Sequence, residues 1–192
     1  MEQSNTISKR EELIEIGSAL FYEQGYQKTG IKQIIETAGI AKGTFYSHFK
    51  SKEELGIAWL QARHKYWNNA MEEYIKIHAS AKPSSKILSV FDYLENWMVE
   101  SKFRGCAFIN TLAETPAQDS LLRKEIESHK RDLLAFFQAL VNEHFSQKQK
   151  KARSQLASCI YILFEGALIE MQNFCETWPA KAAKEHTALL LK

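Results

Sequence analysis

Residues 29–55 constrain the fold more than any other part of the chain, because they read as two short helices, a tight turn and the start of a longer helix. Apolar residues recur at helical spacing in the first helix, and Gly39 follows where a left-handed residue can end it. The second helix, Lys42–His48, is too short to be stable alone and needs packing, for which Phe45 and Phe49 provide an i, i+4 anchor. This pattern predicts a helix-turn-helix, whose second helix enters the DNA major groove.

The polar residues of this segment fit the same interpretation. The second helix directs polar side chains away from its apolar anchor, and Ser51 with Glu54 forms a capping-box pattern at the start of the third helix. Five lysines stand between positions 28 and 52 against the single carboxylate of Glu36. A solvated basic face is the ordinary alternative, but its coincidence with the helix-turn-helix favours contact with DNA phosphates. The lysines are Lys28, Lys32, Lys42, Lys50 and Lys52.

Two ordered strings carry a family resemblance: LIEIGSALFYEQGYQKTGI (13–31) and AGIAKGTFYSHFKSKEEL (38–55). Together with the spacing between them, they resemble the DNA-binding domain of the TetR (tetracycline repressor) family of bacterial regulators. The segment RGCAFINTLAE (104–114) resembles a Gly-Cys motif of one large branch of that family. The resemblance implies an all-α protein with an N-terminal three-helix DNA-binding domain, residues 1–50, and a C-terminal helical effector-binding and dimerisation domain, residues 51–192.

The resemblance also implies a function, which is transcriptional regulation, usually repression, by a homodimer that binds a palindromic double-stranded DNA operator and responds to a small-molecule effector. Two positions depart from the family pattern, because Ala41 stands where a capping serine is usual and Gly30 where serine or threonine is frequent. A lost helix cap costs about 1 kcal/mol. The residues expected to contact DNA are Lys42, Gly43, Thr44, Tyr46, His48 and Lys52.

Helical periodicity continues through the rest of the chain. A long helix is predicted from Ser51 to about His78, with a stripe that includes Tyr66 and Ile77, followed by a loop over 79–85. Further helices are predicted to begin at Ser85, at Cys106, at Pro116 with Thr115 as its cap, at Ala152, and near Pro179.

Aromatic residues on the middle helices are candidates for an effector cavity, although each taken singly could be ordinary core. Asn110 and Glu114 lie i, i+4 in an otherwise apolar short helix, and a buried polar pair needs partners. Those partners could be each other and a neighbouring helix, or the polar group of a ligand. The expected effector is largely apolar, aromatic or cyclic, with one polar or cationic group. The candidate residues are Trp59, Tyr66, Phe91, Trp97, Phe108, Asn110, Glu114 and Phe137.

Cys106 is a second candidate for the signal-receiving residue. It follows Gly105 at the start of a predicted helix, where a thiolate is favoured, and Arg104 is close in sequence. An electrophile or oxidant sensor is one interpretation and a small buried apolar residue is the other. A cysteine-nucleophile enzyme is a further alternative, for which His129 is the only candidate base on an adjacent helix.

The predicted helix over 152–174 and the last helix are expected to form the dimer interface. Gly166 interrupts an apolar helix at a cost of about 1 kcal/mol against alanine, which favours close approach of another helix. The residues expected in this interface are Leu156, Ile160, Leu163, Gly166 and Ala167.

Composition limits the remaining classes. Three cysteines without CxxC spacing predict neither a disulfide framework nor a zinc site, and no cofactor, metal or enzymatic activity is expected. The net charge of +2 does not by itself indicate a nucleic-acid partner. The N-terminus has no apolar signal-peptide region, and runs such as CIYILF (159–164) are too short to span a bilayer. A cytoplasmic protein without a membrane partner is therefore predicted.

Overall fold

A computed structural model describes residues 8–115 and 120–192, which form nine helices and contain no strand. The predicted all-α class is confirmed. The helices are α1 (Lys9–Gln24), α2 (Ile31–Ala38), α3 (Lys42–His48), α4 (Lys52–His78), α5 (Pro83–Glu100), α6 (Ala107–Glu114), α7 (Leu121–His144), α8 (Lys150–Phe174) and α9 (Trp178–Leu190).

The first helices begin and end at the predicted signals. Ser8 caps α1, and its side chain and that of Glu11 form a reciprocal capping box. Gly25 ends α1 with a φ of 100°, and Gly39 ends α2 in the left-handed region with a φ of 61°. At the start of α4 the Ser51 Oγ accepts the Glu54 N–H at 3.1 Å, as predicted. The Glu54 carboxylate accepts the N–H of residue 50 instead of that of Ser51, at 2.7 Å.

α5 begins at Pro83, two residues before the predicted Ser85, because proline fits the first helical turn without losing a hydrogen bond. The predicted start at Pro116 lies outside the described residues. The described part of α7 begins at Leu121, where the Ser120 Oγ accepts the Arg123 N–H at 3.1 Å.

The chain divides into two compact units. The first unit comprises Met1–Lys65 and Ala107–Glu127, and the second unit comprises Tyr66–Cys106 and Ser128–Lys192. In the first unit the Phe21 and Trp59 rings lie 5.1 Å apart in the core. In the second unit α5, α8 and α9 pack against one another, and Phe164 lies at the centre of an aromatic core. Segments distant in sequence therefore complete each core.

The predicted stripe of α4 is wrong in the second half of that helix. Tyr66 is 68% exposed and Ile77 65% exposed, whereas Met71 and Ile75 are buried. The helix contributes its residues up to Lys65 to the first unit and its later residues to the second. Each half packs against different elements, so the buried face changes along the helix and one continuous stripe cannot describe both halves.

Among the described helices, only α8 is long and apolar enough to cross a membrane, judged by length and composition. The prediction that no segment could span a bilayer considered short apolar runs such as CIYILF, and not the mean hydropathy of the whole helix. The core helix of a soluble protein can pass the same test, and in α8 Ile160, Phe164 and Met171 are fully buried. Packing against α5 and α9 accounts for these apolar residues.

Candidate DNA-binding surface and signal-receiving residues

The α3 helix is held by its apolar residues and presents polar ones to solvent. Phe45 and Phe49 have no exposed surface and their rings lie 6.2 Å apart. Tyr46 is 43% exposed, and the Lys42 Nζ lies 5.9 Å from the centre of its ring. Gly43 is exposed, and a Cβ added there would meet nothing within 4 Å. The outer surface of α3 is therefore open to a partner. Thr44 and His48 are half-buried on the same helix.

The two departures from the family pattern are visible at the helix starts. Gly30 and Ala41 are the N-cap residues of α2 and α3, both with extended backbone and neither making a side-chain capping bond. A Cβ at Gly30 would meet nothing within 4 Å, so glycine is not required there by packing.

Lys52, the sixth predicted DNA contact, is oriented differently. Its Nζ donates to the Tyr26 carbonyl oxygen at 3.2 Å and lies 4.5 Å from the centre of the Tyr26 ring. Burial lowers the pKa of Lys52, and the negative charge of Glu114 offsets this in part. Burial, with a contribution from the charge of Glu53, also raises the pKa of Tyr26 to about 12. Lys52 therefore bonds within the first unit, and a phosphate contact would require its side chain to move.

The predicted effector residues fall in both units. Trp59, Phe108, Asn110 and Glu114 belong to the first unit, and Tyr66, Phe91, Trp97 and Phe137 to the second. In the second unit half-buried Trp67 of α4 lies in a cluster of aromatic rings, whereas the sequence predicted Tyr66, which is exposed. The Trp67 ring is 5.5 Å from Tyr93, 6.3 Å from Trp97 and 6.2 Å from Phe164. It also lies 6.5 Å from the ring of His129.

Glu114 already has protein partners. Its Oε2 accepts the backbone N–H of Gln27 at 2.6 Å, and its carbonyl oxygen accepts the Gln27 side-chain amide at 2.9 Å. Asn110, four residues earlier, is half-buried. Of the two alternatives for Glu114, a neighbouring segment of the protein is therefore the one observed, and that segment is the turn between α1 and α2.

Cys106 is 7% exposed and lies beside a partly buried ion pair in the second unit. The Lys130 Nζ is 3.9 Å from the Cys106 Sγ and donates to both Glu165 oxygens at 2.8 and 2.7 Å. Burial alone would lower the pKa of Lys130, but attraction to Cys106 and Glu165 outweighs it and raises that pKa. Burial also raises the pKa of Tyr161, with a further contribution from Glu165. Sequence reasoning missed Lys130, because it is 24 residues from Cys106 and carries no motif of its own.

The predicted dimer residues do not share one face of α8. Ile160 has no exposed surface and belongs to the core of the second unit, which corrects its assignment to an interface. Ala167 is 5% exposed, and Leu156 and Leu163 are half-buried. Ile162, which was not predicted, is 66% exposed, and a Cβ at Gly166 would meet nothing within 4 Å. An open groove of about 250 Å³ runs between α8 and α9, and its lining includes Ile162, Leu163, Gly166, Ala167, Trp178 and Ala182.

Within residues 8–115 and 120–192, no group of three or more His, Cys, Asp or Glu side chains is placed to hold a metal ion.

Comparison with known families decides the identity of the chain. Residues 13–58 match the family described as "Bacterial regulatory proteins, tetR family". Residues 83–187, more than half of the chain, match the "Tetracyclin repressor-like, C-terminal domain". The chain belongs to the TetR family. The predicted family and a DNA-binding transcriptional regulator are thereby confirmed.

Two individual repressors resemble this chain, one over most of its length and one over a stretch of about a third. The HTH-type transcriptional repressor NemR of Escherichia coli is 25% identical over 181 residues, which cover 92% of this chain and 90% of NemR. The HTH-type transcriptional repressor KstR2 of Mycobacterium tuberculosis is 40% identical over 65 residues, which cover 30% of this chain and 32% of KstR2.

Solved structures show the same fold. A TetR-family transcriptional regulator from Streptomyces coelicolor superposes with a TM-score of 0.83 at 20% identity, covering 95% of this chain and 93% of that one. The reduced form of E. coli NemR gives a TM-score of 0.75 at 20% identity, covering 95% and 97%.

Proposed function

We propose that this TetR-family protein is a cytoplasmic repressor that binds operator DNA as a homodimer and is released by a small-molecule effector, with no catalytic role. The observation that carries the proposal is the outer surface of α3, which is polar and open while Phe45 and Phe49 fix the helix from below. NemR and KstR2 are both named transcriptional repressors, which supports repression and not activation as the function. The division into DNA binding by residues 1–50 and effector binding with dimerisation by residues 51–192 belongs to the same proposal.

Each residue of the α3 surface has a chemical role in this proposal. Lys42 and His48 contact phosphates, the Tyr46 hydroxyl donates to a phosphate, and Thr44 contacts a base edge or a thymine methyl group. Gly43 allows the backbone to approach the DNA closely. Lys52 contributes only after its Nζ leaves the Tyr26 carbonyl oxygen, so its share of the affinity is smaller than that of Lys42.

The test is retention of fragments from a sheared genomic pool, followed by gel-shift measurements on the best retained fragment. Lys42→Ala should weaken binding to all fragments and reduce the slope of log affinity against log salt by about one unit. Thr44→Ala should change which fragments are retained. Lys76→Ala, an exposed lysine at the far end of α4, is the control and should leave both properties unchanged. Salt-independent binding, or full affinity in a Lys42/Tyr46 double alanine variant, would contradict the proposal.

The homodimer is proposed to form through the groove between α8 and α9. Ile162 and Trp178 are 66% and 49% exposed on its walls, and Gly166 leaves space for an approaching helix. Exposed apolar walls of this kind are typical of an interface between protein chains. The second copy of the chain is the proposed occupant, because TetR-family repressors form dimers.

Sedimentation equilibrium tests this interface. Ile162→Glu and Gly166→Glu should each give monomers at micromolar concentration, because a buried unpaired carboxylate is costly. Ile77→Glu is the matched control, since Ile77 on α4 is equally exposed at 65%. A wild-type monomer, or a dimer that survives both groove substitutions, would refute the assignment.

The effector is proposed to be a largely apolar, aromatic or cyclic molecule bound among the aromatic residues of the second unit. Trp67, Trp97 and Phe137 supply apolar walls, and Trp67 replaces Tyr66 in the predicted set. A ligand at one hundred times its Kd should add about 2.7 kcal/mol to the free energy of unfolding. Thermal-shift screening should find such compounds, and each should release the retained DNA fragment. Hits whose effect is unchanged in Trp67→Ala and Trp97→Ala would place the site elsewhere.

A thiol trigger at Cys106 is the second candidate, favoured by the Lys130 ammonium 3.9 Å from its sulfur. A neighbouring cation stabilises the thiolate, which is the reactive form of cysteine. With N-ethylmaleimide the sulfur would form a bond to one alkene carbon, and the other alkene carbon would take a proton from water.

Cys106→Ser separates the two triggers. If the variant still releases DNA with a reversible compound found in the screen, the thiol is only part of the core. If the wild type releases DNA solely with thiol-reactive agents and Cys106→Ser does not respond, the thiol is the trigger. Cys159→Ser is the control, because Cys159 is exposed on α8.

A further inference from the structure

The turn between α1 and α2, residues 25–30, connects the scaffold helix of the first unit to the helix-turn-helix. Gly25 has a φ of 100° and a ψ of 150°, a conformation that is essentially restricted to glycine. The Thr29 hydroxyl, which is fully buried, donates to the Gly25 carbonyl oxygen at 2.9 Å. The turn therefore has a defined shape, and α2, which it starts, leads through residues 39–41 directly into α3.

Glu114 holds this turn from the other side, although it lies 87 residues further along the chain. Its carboxylate accepts the Gln27 N–H at 2.6 Å, and its backbone oxygen accepts the Gln27 side-chain amide at 2.9 Å. A Cβ added at Gly25 would lie 2.8 Å from the Glu114 Oε1. Glu114 thus bonds to Gln27 and occupies the space that a side chain at position 25 would need, and both residues of the turn belong to the first unit with Glu114.

Lys52 contacts the same turn with the opposite charge. Its Nζ donates to the Tyr26 carbonyl oxygen at 3.2 Å, one residue before the N–H that Glu114 accepts. Attraction between Glu114 and Lys52 partly offsets the lowering of the lysine pKa by burial. The Tyr26 carbonyl and the Gln27 N–H belong to one peptide group, so the cation and the anion together fix the orientation of that group.

We propose that Glu114 is a positioning residue for DNA binding: it fixes the α1–α2 turn, and through α2 the orientation of α3, without contacting DNA. This inference rests on the proposed DNA-binding role of α3. It assigns to α6 a function in operator recognition, because Glu114 is the last residue of that helix.

Amide hydrogen exchange and DNA binding test the proposal in the full-length chain. In Glu114→Ala the Gln27 amide should exchange at least about tenfold faster, because its charged acceptor is removed. Affinity for the DNA fragment best retained by the wild type should fall about tenfold, with an unchanged salt slope because no phosphate contact is lost. Glu114→Gln keeps an acceptor oxygen and should lie between the wild type and Glu114→Ala in both measurements.

Glu125→Ala is the matched control, since Glu125 also accepts from a glutamine side chain, Gln61, at 3.0 Å within the first unit. It should leave the Gln27 exchange rate and the DNA affinity unchanged. Unchanged Gln27 exchange in Glu114→Ala would refute the contact, and faster exchange with undiminished DNA affinity would refute the positioning role. If the wild type retained no DNA, the proposed function would fail and the positioning role with it. The exchange data would still show whether Glu114 holds the turn.

Discussion

Two lysine sites in the molecule respond to burial in opposite directions. Lys52 in the first unit has a lowered pKa, whereas the more buried Lys130 in the second unit has a raised one. Burial disfavours the charged form at both sites, but the Lys130 Nζ donates to both Glu165 oxygens. Lys52 bonds to neutral carbonyl oxygens, and its attraction to Glu114 does not compensate fully. The charge and geometry of the partner, not the depth of burial, thus decide the sign of the shift.

The largest expected effect comes from breaking the partly buried Lys130–Glu165 pair. Glu165→Gln keeps the side-chain volume but leaves the Lys130 ammonium without its counter-charge, so the free energy of unfolding should fall by about 3 kcal/mol. Urea denaturation followed by helical circular dichroism measures the loss. The control is Glu143→Gln, which breaks the exposed pair with Lys86 at 2.6 Å and should cost less than about 1 kcal/mol. Equal losses in the two variants would contradict the buried-pair argument.

In the first unit, where Lys52 lies, the packing of Glu114 against the α1–α2 turn can be disturbed at Gly25. Gly25→Ala should destabilise the protein by about 2 kcal/mol, because its backbone conformation excludes a Cβ and the Cβ would meet Glu114. Gly39→Ala, at a φ of 61° with no neighbour within 4 Å, should cost about 1 kcal/mol. In a Glu114→Ala background the cost of Gly25→Ala should decrease, since the steric contact is gone. Strict additivity of the two substitutions in urea denaturation would show that Glu114 does not press on the turn.

Removing each lysine sharpens the contrast. Lys130→Met should cost about 3 kcal/mol because it leaves the Glu165 carboxylate unpaired in the second unit. Lys52→Met should change the free energy of unfolding by no more than about 1 kcal/mol, because the ammonium donates to carbonyl oxygens and its removal leaves neutral acceptors, not a charge, without a donor. Paired urea titrations of the two variants would settle the ranking, and a larger loss for Lys52→Met would reverse it.

The smallest effects concern pH, where the two lysines should act with opposite signs. The raised pKa of Lys130 gives a stabilisation that is complete below its ordinary value of 10.5 and is lost as the pH rises through the higher folded-state pKa. The lowered pKa of Lys52 means that the folded protein releases this proton first, so stability increases as the pH approaches 10.5 from below. The raised pKa values of Tyr26 and Tyr161 also reduce stability as the pH rises above about 10, so the lysine contributions are read as differences from the wild type. Between about pH 9 and about pH 11, the urea midpoint of Lys52→Met should rise less than that of the wild type, and the midpoint of Lys130→Met should fall less.

Local signals account for the parts that the sequence predicted well. The ends of α1 and α2 follow from Ser8, Gly25 and Gly39, because caps and left-handed glycines act within one turn of the helix. The residues on the outer surface of α3 follow from the i, i+4 spacing of Phe45 and Phe49. Where apolar residues are continuous, as in CIYILF of α8, the pattern does not mark a face, and Ile160 was placed in an interface although Ile162 is the exposed residue.

By itself, the sequence determined the all-α class, the family and most helix boundaries, because these depend on periodicity, caps and an ordered motif within short windows. Only the tertiary structure decided that Trp67 and not Tyr66 faces the interior, and that Glu114 binds the α1–α2 turn. It also brought Lys130 to Cys106 and Glu165, which lie 24 and 35 residues away. Helical periodicity reports which face of a helix is apolar. It does not report which helix covers that face, and the chemistry of these sites depends on that pairing.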